Sequence, residues 1–254
     1  MSIDRFALTD KVALVSGASR GIGKAIALGF AGAGADVAIC SRKLENIEPA
    51  AAQIEEITGR RAFAMAADVG KGEDIEKFVA EAHSKFGRID ILVNNVARSI
   101  MSPILNLRED GWDKIINTNL KSCFLFSQAV GQIMMGQGSG VIINISSVAG
   151  QKAAPLLGAY SVSKAGVDML TKVLAKELAG VGIRVNAISP GMVETGFSEA
   201  IWSSPEMHAE VVRDIPMGRL ATTEEIVGTA IFLASGSASY ITGAIINIDG
   251  GSMT

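Results

Sequence analysis

In the stretch AYSVSKAG, Tyr160 and Lys164 set an aromatic hydroxyl and an ammonium four residues apart among mostly small neighbours. If the segment is helical, positions i and i+4 lie one above the other on one face, so the pair shares a single site. An ammonium there favours the phenolate, and a hydroxyl that ordinarily titrates near about pH 10 becomes usable for acid and base work at neutrality. The same pair on a solvated helix would be an ordinary surface contact, so the rest of the chain must decide between the two.

A second group lies near the start. SGASRGIG follows an apolar run and carries glycines at 17, 21 and 23. Gly17 suits a sharp turn, Gly21 leaves room where a pyrophosphate must approach the backbone, and Gly23 permits close helix packing. Free amides at the helix start then face the phosphates. Glycine-rich turns of this kind also occur without ligands. Further on, Cys40-Ser41-Arg42-Lys43 lacks the acid that binds an adenosine ribose 2′-hydroxyl. Arg20, Ser41 and Arg42 suit a 2′-phosphate instead, which points to NADP(H) as cofactor, with Lys43 a solubility residue.

These residues need a scaffold. Short β-rich runs at 11–16, 35–41, 61–67, 89–95, 140–147, 182–190 and 244–249 alternate with amphipathic segments at about 20–33, 43–58, 71–87, 109–135, 159–180 and 222–234. The strands are mostly apolar on both faces, as strands covered by helices on both sides should be. The alternation predicts an α/β fold: a single-domain, Rossmann-type, doubly wound parallel sheet of about seven strands over residues 1–254. A cofactor half would occupy about 8–150 and a catalytic and substrate half about 140–254. Residues 191–218 break the rhythm with Gly191, Gly196, Pro205, Pro216 and Gly218 and are expected to form a lid.

The whole chain resembles the short-chain dehydrogenase/reductase family, through SGASRGIG, Asp68-Val69, NNVA (94–97), Asn119 in NTNL, Ser147 in NISSVAG, YSVSK (160–164), Pro190-Gly191 and the closing IDGG. The resemblance implies a catalytic set of Asn119, Ser147, Tyr160 and Lys164. Ser147 would hydrogen-bond the substrate oxygen, Tyr160 would exchange its proton, and Asn119 would position a water joining Lys164 to solvent. It also implies cofactor contacts from Gly17, Ser19, Arg20, Gly21, Ile22 and Gly23, and from Ser41 and Arg42. Asp68 and Val69 would hold the adenine ring, with Asn95, Val96 and Ala97 alongside and Asn94 bracing the strand beneath. Pro190, Gly191, Val193 and Thr195 would lie by the nicotinamide half, with Tyr160 and Lys164 themselves. The family's NNAG is NNVA here, which adds methyl groups beside the nicotinamide ribose, and its usual threonine is Ser16, which keeps a hydroxyl.

The activity expected is NADP(H)-dependent interconversion of a small carbonyl compound (ketone, ketoester or sugar/polyol) and its alcohol. Reduction of a 3-oxoacyl group on an acyl carrier protein is the alternative within the family, and a non-catalytic NADP(H)-binding redox sensor the alternative outside it. Acidic carrier proteins call for basic docking residues, but the connections 132–140 and 177–183 contain no Lys or Arg; Lys152 and Lys172 lie elsewhere. By resemblance, the helices carrying Asn119 and Tyr160 form a subunit interface, so a homotetramer is expected, otherwise a homodimer. Trp112, Phe124 and Phe126 read as packing residues, and His83 and His208 as surface residues.

Composition narrows the remaining classes. With 48% hydrophobic and 19% charged residues and a net charge of -3, the chain offers no basic field for nucleic acid or an anionic membrane. Cys40 and Cys123 are isolated and lack metal-ligand spacing, so no metal site or disulfide is expected and a reducing cytoplasm fits. The start, MSIDRFALTD, carries Asp4, Arg5 and Asp10 and does not read as a signal peptide.

Overall fold

The structure is a computed structural model that describes residues 3–254. Met1 and Ser2, where the expected domain and the segment read as lacking a signal begin, lie outside the described residues. Seven parallel strands form one sheet: β1 (Val12–Ser16), β2 (Asp36–Ser41), β3 (Ala62–Ala66), β4 (Ile91–Asn94), β5 (Gly140–Ile145), β6 (Ile183–Pro190) and β7 (Ile245–Ile248). Their order is β3-β2-β1-β4-β5-β6-β7. The chain direction across the sheet therefore reverses between β1 and β4, and ligands of such sheets sit outside the carboxyl ends of the strands at that reversal.

Side chains alternate across each strand, so neighbours in sequence enter different cores. Ala13 and Val15 of β1 and Val37 and Ile39 of β2 join Ile26 and Phe30 of α1 (Gly21–Gly32), Ile54 of α2 (Leu44–Thr58) and Leu233 of α9 (Glu224–Ala234) on one face. Leu14, Ala38 and Ile142 point the other way, toward Phe78 of α3 (Gly72–Phe86), Phe126 of α5 (Ser122–Gln137) and Ala175 of α6 (Gly158–Leu178). Phe78 and Phe126 meet edge to face at 6.4 Å, a geometry worth about 0.5–1.5 kcal/mol beyond their burial. Phe126 is thus a packing residue, as expected, whereas Trp112 and Phe124 are exposed. The expectation of strands buried on both faces holds for β1, β2, β4, β5 and β6. It fails at β3 and β7, which are half-buried because they end the sheet.

One segment departs from its expected form. The helix over 109–135 is α4 (Glu109–Ile116) and α5 joined by a π turn at Asn117–Lys121, and Asn119 lies in that turn. Such wide turns commonly mark functional positions. The excursion 191–218 folds as two short helices, α7 (Glu199–Trp202) and α8 (Pro205–Arg213). Among the described residues, no helix is long and apolar enough to cross a membrane.

Candidate active site

A cleft of about 810 Å³ opens at the carboxyl ends of β1, β4, β5 and β6. That volume lies within the roughly 300–1,000 Å³ typical of small-molecule and cofactor sites.

The wall after β1 is built for close backbone approach. Gly17 and Gly21 take φ 68° and 58°, in the left-handed region that favours glycine. A Cβ at Gly23 would stand 2.5 Å from the carbonyl oxygen of Gly17, so this glycine lets α1 close on the turn. Arg20, at the N-cap of α1, makes no side-chain cap, and the first turn holds no acid. The free amides of that turn therefore keep their capacity for an anion. Asn95 fastens the turn from β4: its amide nitrogen donates to the carbonyls of Ser16 and Gly17, 3.1 Å each. The Ser16 hydroxyl accepts from the Asn95 backbone at 3.0 Å and donates to Val93, so the serine keeps the bonds of its hydroxyl. A Cβ at Gly17 would come within 2.8 Å of a Val96 methyl, which places that side chain directly against the turn; Ala97 follows in the cleft wall.

At the end beside β2, Ser41, Arg42, Asp68 and Val69 line the cleft with Ser19 and Ile22. Asp68 Oδ1 accepts from the Gly70 amide at 3.0 Å. Ser41 donates to the Lys43 carbonyl at 3.0 Å, and Lys43 pairs with Glu45 on the surface. Arg20 lines the same cleft, and its guanidinium rests beside Gly196, whose added Cβ would stand 3.4 Å away. Pro190, Gly191, Val193 and Thr195 line the opposite wall.

The remaining four residues come from three elements. Tyr160 and Lys164 lie one turn apart on α6 and are both buried. Ser147 ends the run from β5 and caps a 3-10 turn, Val148–Gly150, accepting from the Ala149 amide at 3.2 Å. That turn lies on α6 because residue 150 is glycine: a Cβ there would stand 2.8 Å from the Lys164 carbonyl carbon. Ser147 faces the phenol, whereas the neighbouring Ser146 is buried and donates to the Lys164 carbonyl at 3.4 Å. Asn119 is buried with its amide fully engaged, accepting from the Arg98 backbone at 2.8 Å and donating to the Arg98 carbonyl and to Ser163.

The electrostatics differ from the expectation that Lys164 draws Tyr160 toward the phenolate. Burial raises the Tyr160 hydroxyl above its ordinary value, and the Ser147 hydroxyl works the other way. Lys164 lies 5.7 Å from the ring centroid and donates to the Ile145 carbonyl at 2.6 Å. Burial lowers the ammonium, offset in part by Cys123 and Asp168.

Residues 17–253 match the family model described as enoyl-(acyl carrier protein) reductase. The chain is 41% identical over 248 residues to a 3-oxoacyl-[acyl-carrier-protein] reductase of Synechocystis sp., covering 96% of this chain and 98% of that protein. It is 39% identical over 248 residues to dehydrogenase/reductase SDR family member 4 of Bos taurus, covering 97% and 88%. The chain belongs to the short-chain dehydrogenase/reductase family. Among solved structures, a putative NAD(P)-dependent gluconate 5-dehydrogenase of Beutenbergia cavernae with bound NADP superposes with a TM-score of 0.94 at 37% identity, covering 98% of this chain and 99% of that one.

As a short-chain dehydrogenase/reductase the protein is an oxidoreductase acting on CH–OH and ketone groups. Its cleft brings together every residue singled out for the catalytic and cofactor sites except Gly23 and Asn119, which stand behind the wall and shape it. His83 and His208 do not line the cleft. Sequence reasoning missed Gln151 and Phe197. Gln151 bridges Ser189 at 2.9 Å and Asn247 at 2.8 Å, tying the turn after Ser147 to β6 and β7. Phe197 packs on the Tyr160 ring, centroids 5.8 Å apart. Neither carries a sequence signal, because each acts through a partner distant in the chain.

Proposed function

We propose that this protein is an NADP(H)-dependent oxidoreductase that interconverts a small, unattached carbonyl compound and its alcohol, with Tyr160 as general acid and base. The observation that carries this reading is one cleft holding both the uncapped glycine turn and the Ser147–Tyr160–Lys164 group. The open start of α1 and the close-packed Gly17–Gly23 turn fit a dinucleotide pyrophosphate, with Arg20, Ser41 and Arg42 toward its 2′-phosphate and Asp68 and Val69 toward adenine. Bound there, the nicotinamide supplies or takes up the hydride.

In reduction, Ser147 and Tyr160 hydrogen-bond the carbonyl oxygen and Tyr160 gives it a proton; in oxidation Tyr160 takes the proton back. The raised Tyr160 suits the acid role, since the phenol holds its proton at neutrality. Lys164 steadies the charge that remains. Because both hydrogens of the Asn119 amide are given to Arg98 and Ser163, a relay water beside Lys164 would donate to the Asn119 main-chain carbonyl at the π turn, to which the Cys123 thiol also donates at 3.2 Å. The excursion 191–218 reads as a lid over this site, excluding water from the transfer.

A panel of ketones, ketoesters and sugars followed by NADPH absorbance tests the reading, and failure of every carbonyl compound despite NADPH binding would defeat it. The Synechocystis relative's name favours a second reading, a carrier-bound 3-oxoacyl substrate. Against it stand connections 132–140 and 177–183 without a cation. Acetoacetyl-carrier protein compared with free ketones across a salt series separates the two. A much higher kcat/KM for the carrier-bound substrate, falling steeply with salt, selects the second.

Exposed apolar side chains on α5 (Phe124, Met135) and α6 (Val162, Met169, Val173) support a homotetramer built on these helices, or a homodimer if one such face is used. Two free, buried thiols, Cys40 and Cys123, agree with a cytoplasmic setting.

A further inference from the structure

The catalytic end of the cleft has a chemistry of its own. Beyond Ser147, the connection 148–157, the excursion 191–218 and the C-terminal turn contribute most of its walls, with Arg98 at the segment after β4. Most of the large side chains these three segments set in the cleft are apolar, among them Val148, Leu157, Phe197, Ile215 and Met253, with Lys152 and Asp214 the charged exceptions. Phe197 is the most telling. Its ring meets that of Tyr160 at 5.8 Å and 39°, yet it remains 54% exposed, so it borders the place where a substrate must lie.

The polar side chains of the same segments are already engaged or stand at the rim. Ser198 donates to the Val193 carbonyl at 2.5 Å, Thr195 accepts from the Phe197 amide at 3.3 Å, and Ser252 donates to Asp249 at 3.2 Å. Lys152 and Asp214 are exposed. A polyhydroxylated substrate needs several convergent donors and acceptors, because each hydroxyl buried without a partner opposes binding. These walls present few.

Backbone geometry also aims an apolar group inward. Leu156 adopts φ 66°, uncommon for a bulky residue, and its carbonyl accepts from the Ser102 amide at 2.9 Å. The turn so fixed delivers Leu157 to the cleft wall.

From these observations, and resting on the reading of the site given above, we infer that the substrate is a ketone bearing a hydrophobic alkyl or aryl group next to the reacting carbon, and that Phe197 selects for that group. A polyhydroxy ketone or sugar acid is the disfavoured class. The ring of Phe197 offers the substituent an apolar face while keeping water from the Tyr160 hydroxyl.

The test compares kcat/KM with NADPH for an aryl alkyl ketone and a medium-chain 2-alkanone against dihydroxyacetone, a ketohexose and a 2-keto acid. Wild type, Phe197→Ala and Phe197→Leu are measured side by side. The hydrophobic ketones are expected to exceed the polyhydroxy compounds by at least about tenfold. Phe197→Ala should erase most of that ratio, chiefly through KM, and Phe197→Leu should restore a large part of it. Because residue 197 is half exposed, these variants should fold, which circular dichroism verifies. Faster turnover of the sugar or keto acid by wild type, or an unchanged ratio in folded Phe197→Ala, overturns the inference and leaves the oxidoreductase reading standing. NADPH binding without turnover of any compound overturns both.

Discussion

The ammonium of Lys164 donates at 2.6 Å to the carbonyl oxygen of Ile145, the last residue of β5, and so ties the helix carrying Tyr160 to the strand that leads to Ser147. The bond fixes the separation of the Tyr160 and Ser147 hydroxyls. It also leaves Lys164 acting on Tyr160 from beneath the ring, as a charge in a dry setting.

This arrangement carries a pH signature. Burial raises Tyr160 above its ordinary value and lowers Lys164 below its own. Carbonyl reduction, which needs the protonated phenol, should keep a plateau through neutrality and fall on the alkaline side; alcohol oxidation should rise across the same range. Ser147→Ala removes the group that favours the phenolate and should move both limbs to higher pH. A reduction rate that rises with pH through neutrality would contradict this electrostatic account.

Cofactor choice follows from the end of β2. Each charge-assisted bond from Arg20 or Arg42 to a 2′-phosphate is worth about 1.5–3 kcal/mol, so two give a preference of about a hundredfold or more for NADPH in kcat/KM. Arg42 follows β2 directly, whereas the Arg20 guanidinium rests beside Gly196, so Arg42→Ala should cost more of the preference than Arg20→Ala. Ser41→Asp with Arg42→Ala should turn the preference toward NADH. Equal use of both nucleotides by wild type would show that neither cation reaches the phosphate.

A buried amide chain holds the floor of the site. Asn94 donates to Asn144 at 2.8 Å and to Ser127 at 3.2 Å, and Asn144 donates to Thr171 at 2.8 Å, joining β4, α5, β5 and α6. Asn144→Ala strands the Asn94 amide and breaks the link to α6, which should lower stability by about 1–3 kcal/mol. Chemical denaturation reads this as a lower midpoint with unchanged slope. An unchanged midpoint would mean that the network contributes nothing net.

Much of this was legible in the chain itself, for local reasons. The strands were marked by short apolar runs, β-branched in every case but β3, and the glycine turn by its place between a strand and a helix. The π turn at Asn117–Lys121 was not legible: its sequence continues the helical periodicity on both sides, and the extra residue is accommodated by bonds from Asn119 to Arg98 and Ser163, distant in the chain. The four-residue spacing of Tyr160 and Lys164 correctly announced a shared site. It could not announce that burial raises the Tyr160 hydroxyl, because Phe197 and the turn at Gly150 meet α6 only in the folded state.

The central claim is that the Tyr160 hydroxyl moves the proton while the glycine turn holds the cofactor. Tyr160→Phe keeps the ring and its contact with Phe197 and deletes one oxygen, so kcat for carbonyl reduction, measured beside NADPH affinity from fluorescence titration, tests it most directly. The account predicts a fall in kcat of roughly 10²–10⁴-fold or more with NADPH affinity nearly unchanged. Near-normal turnover in that variant would contradict it.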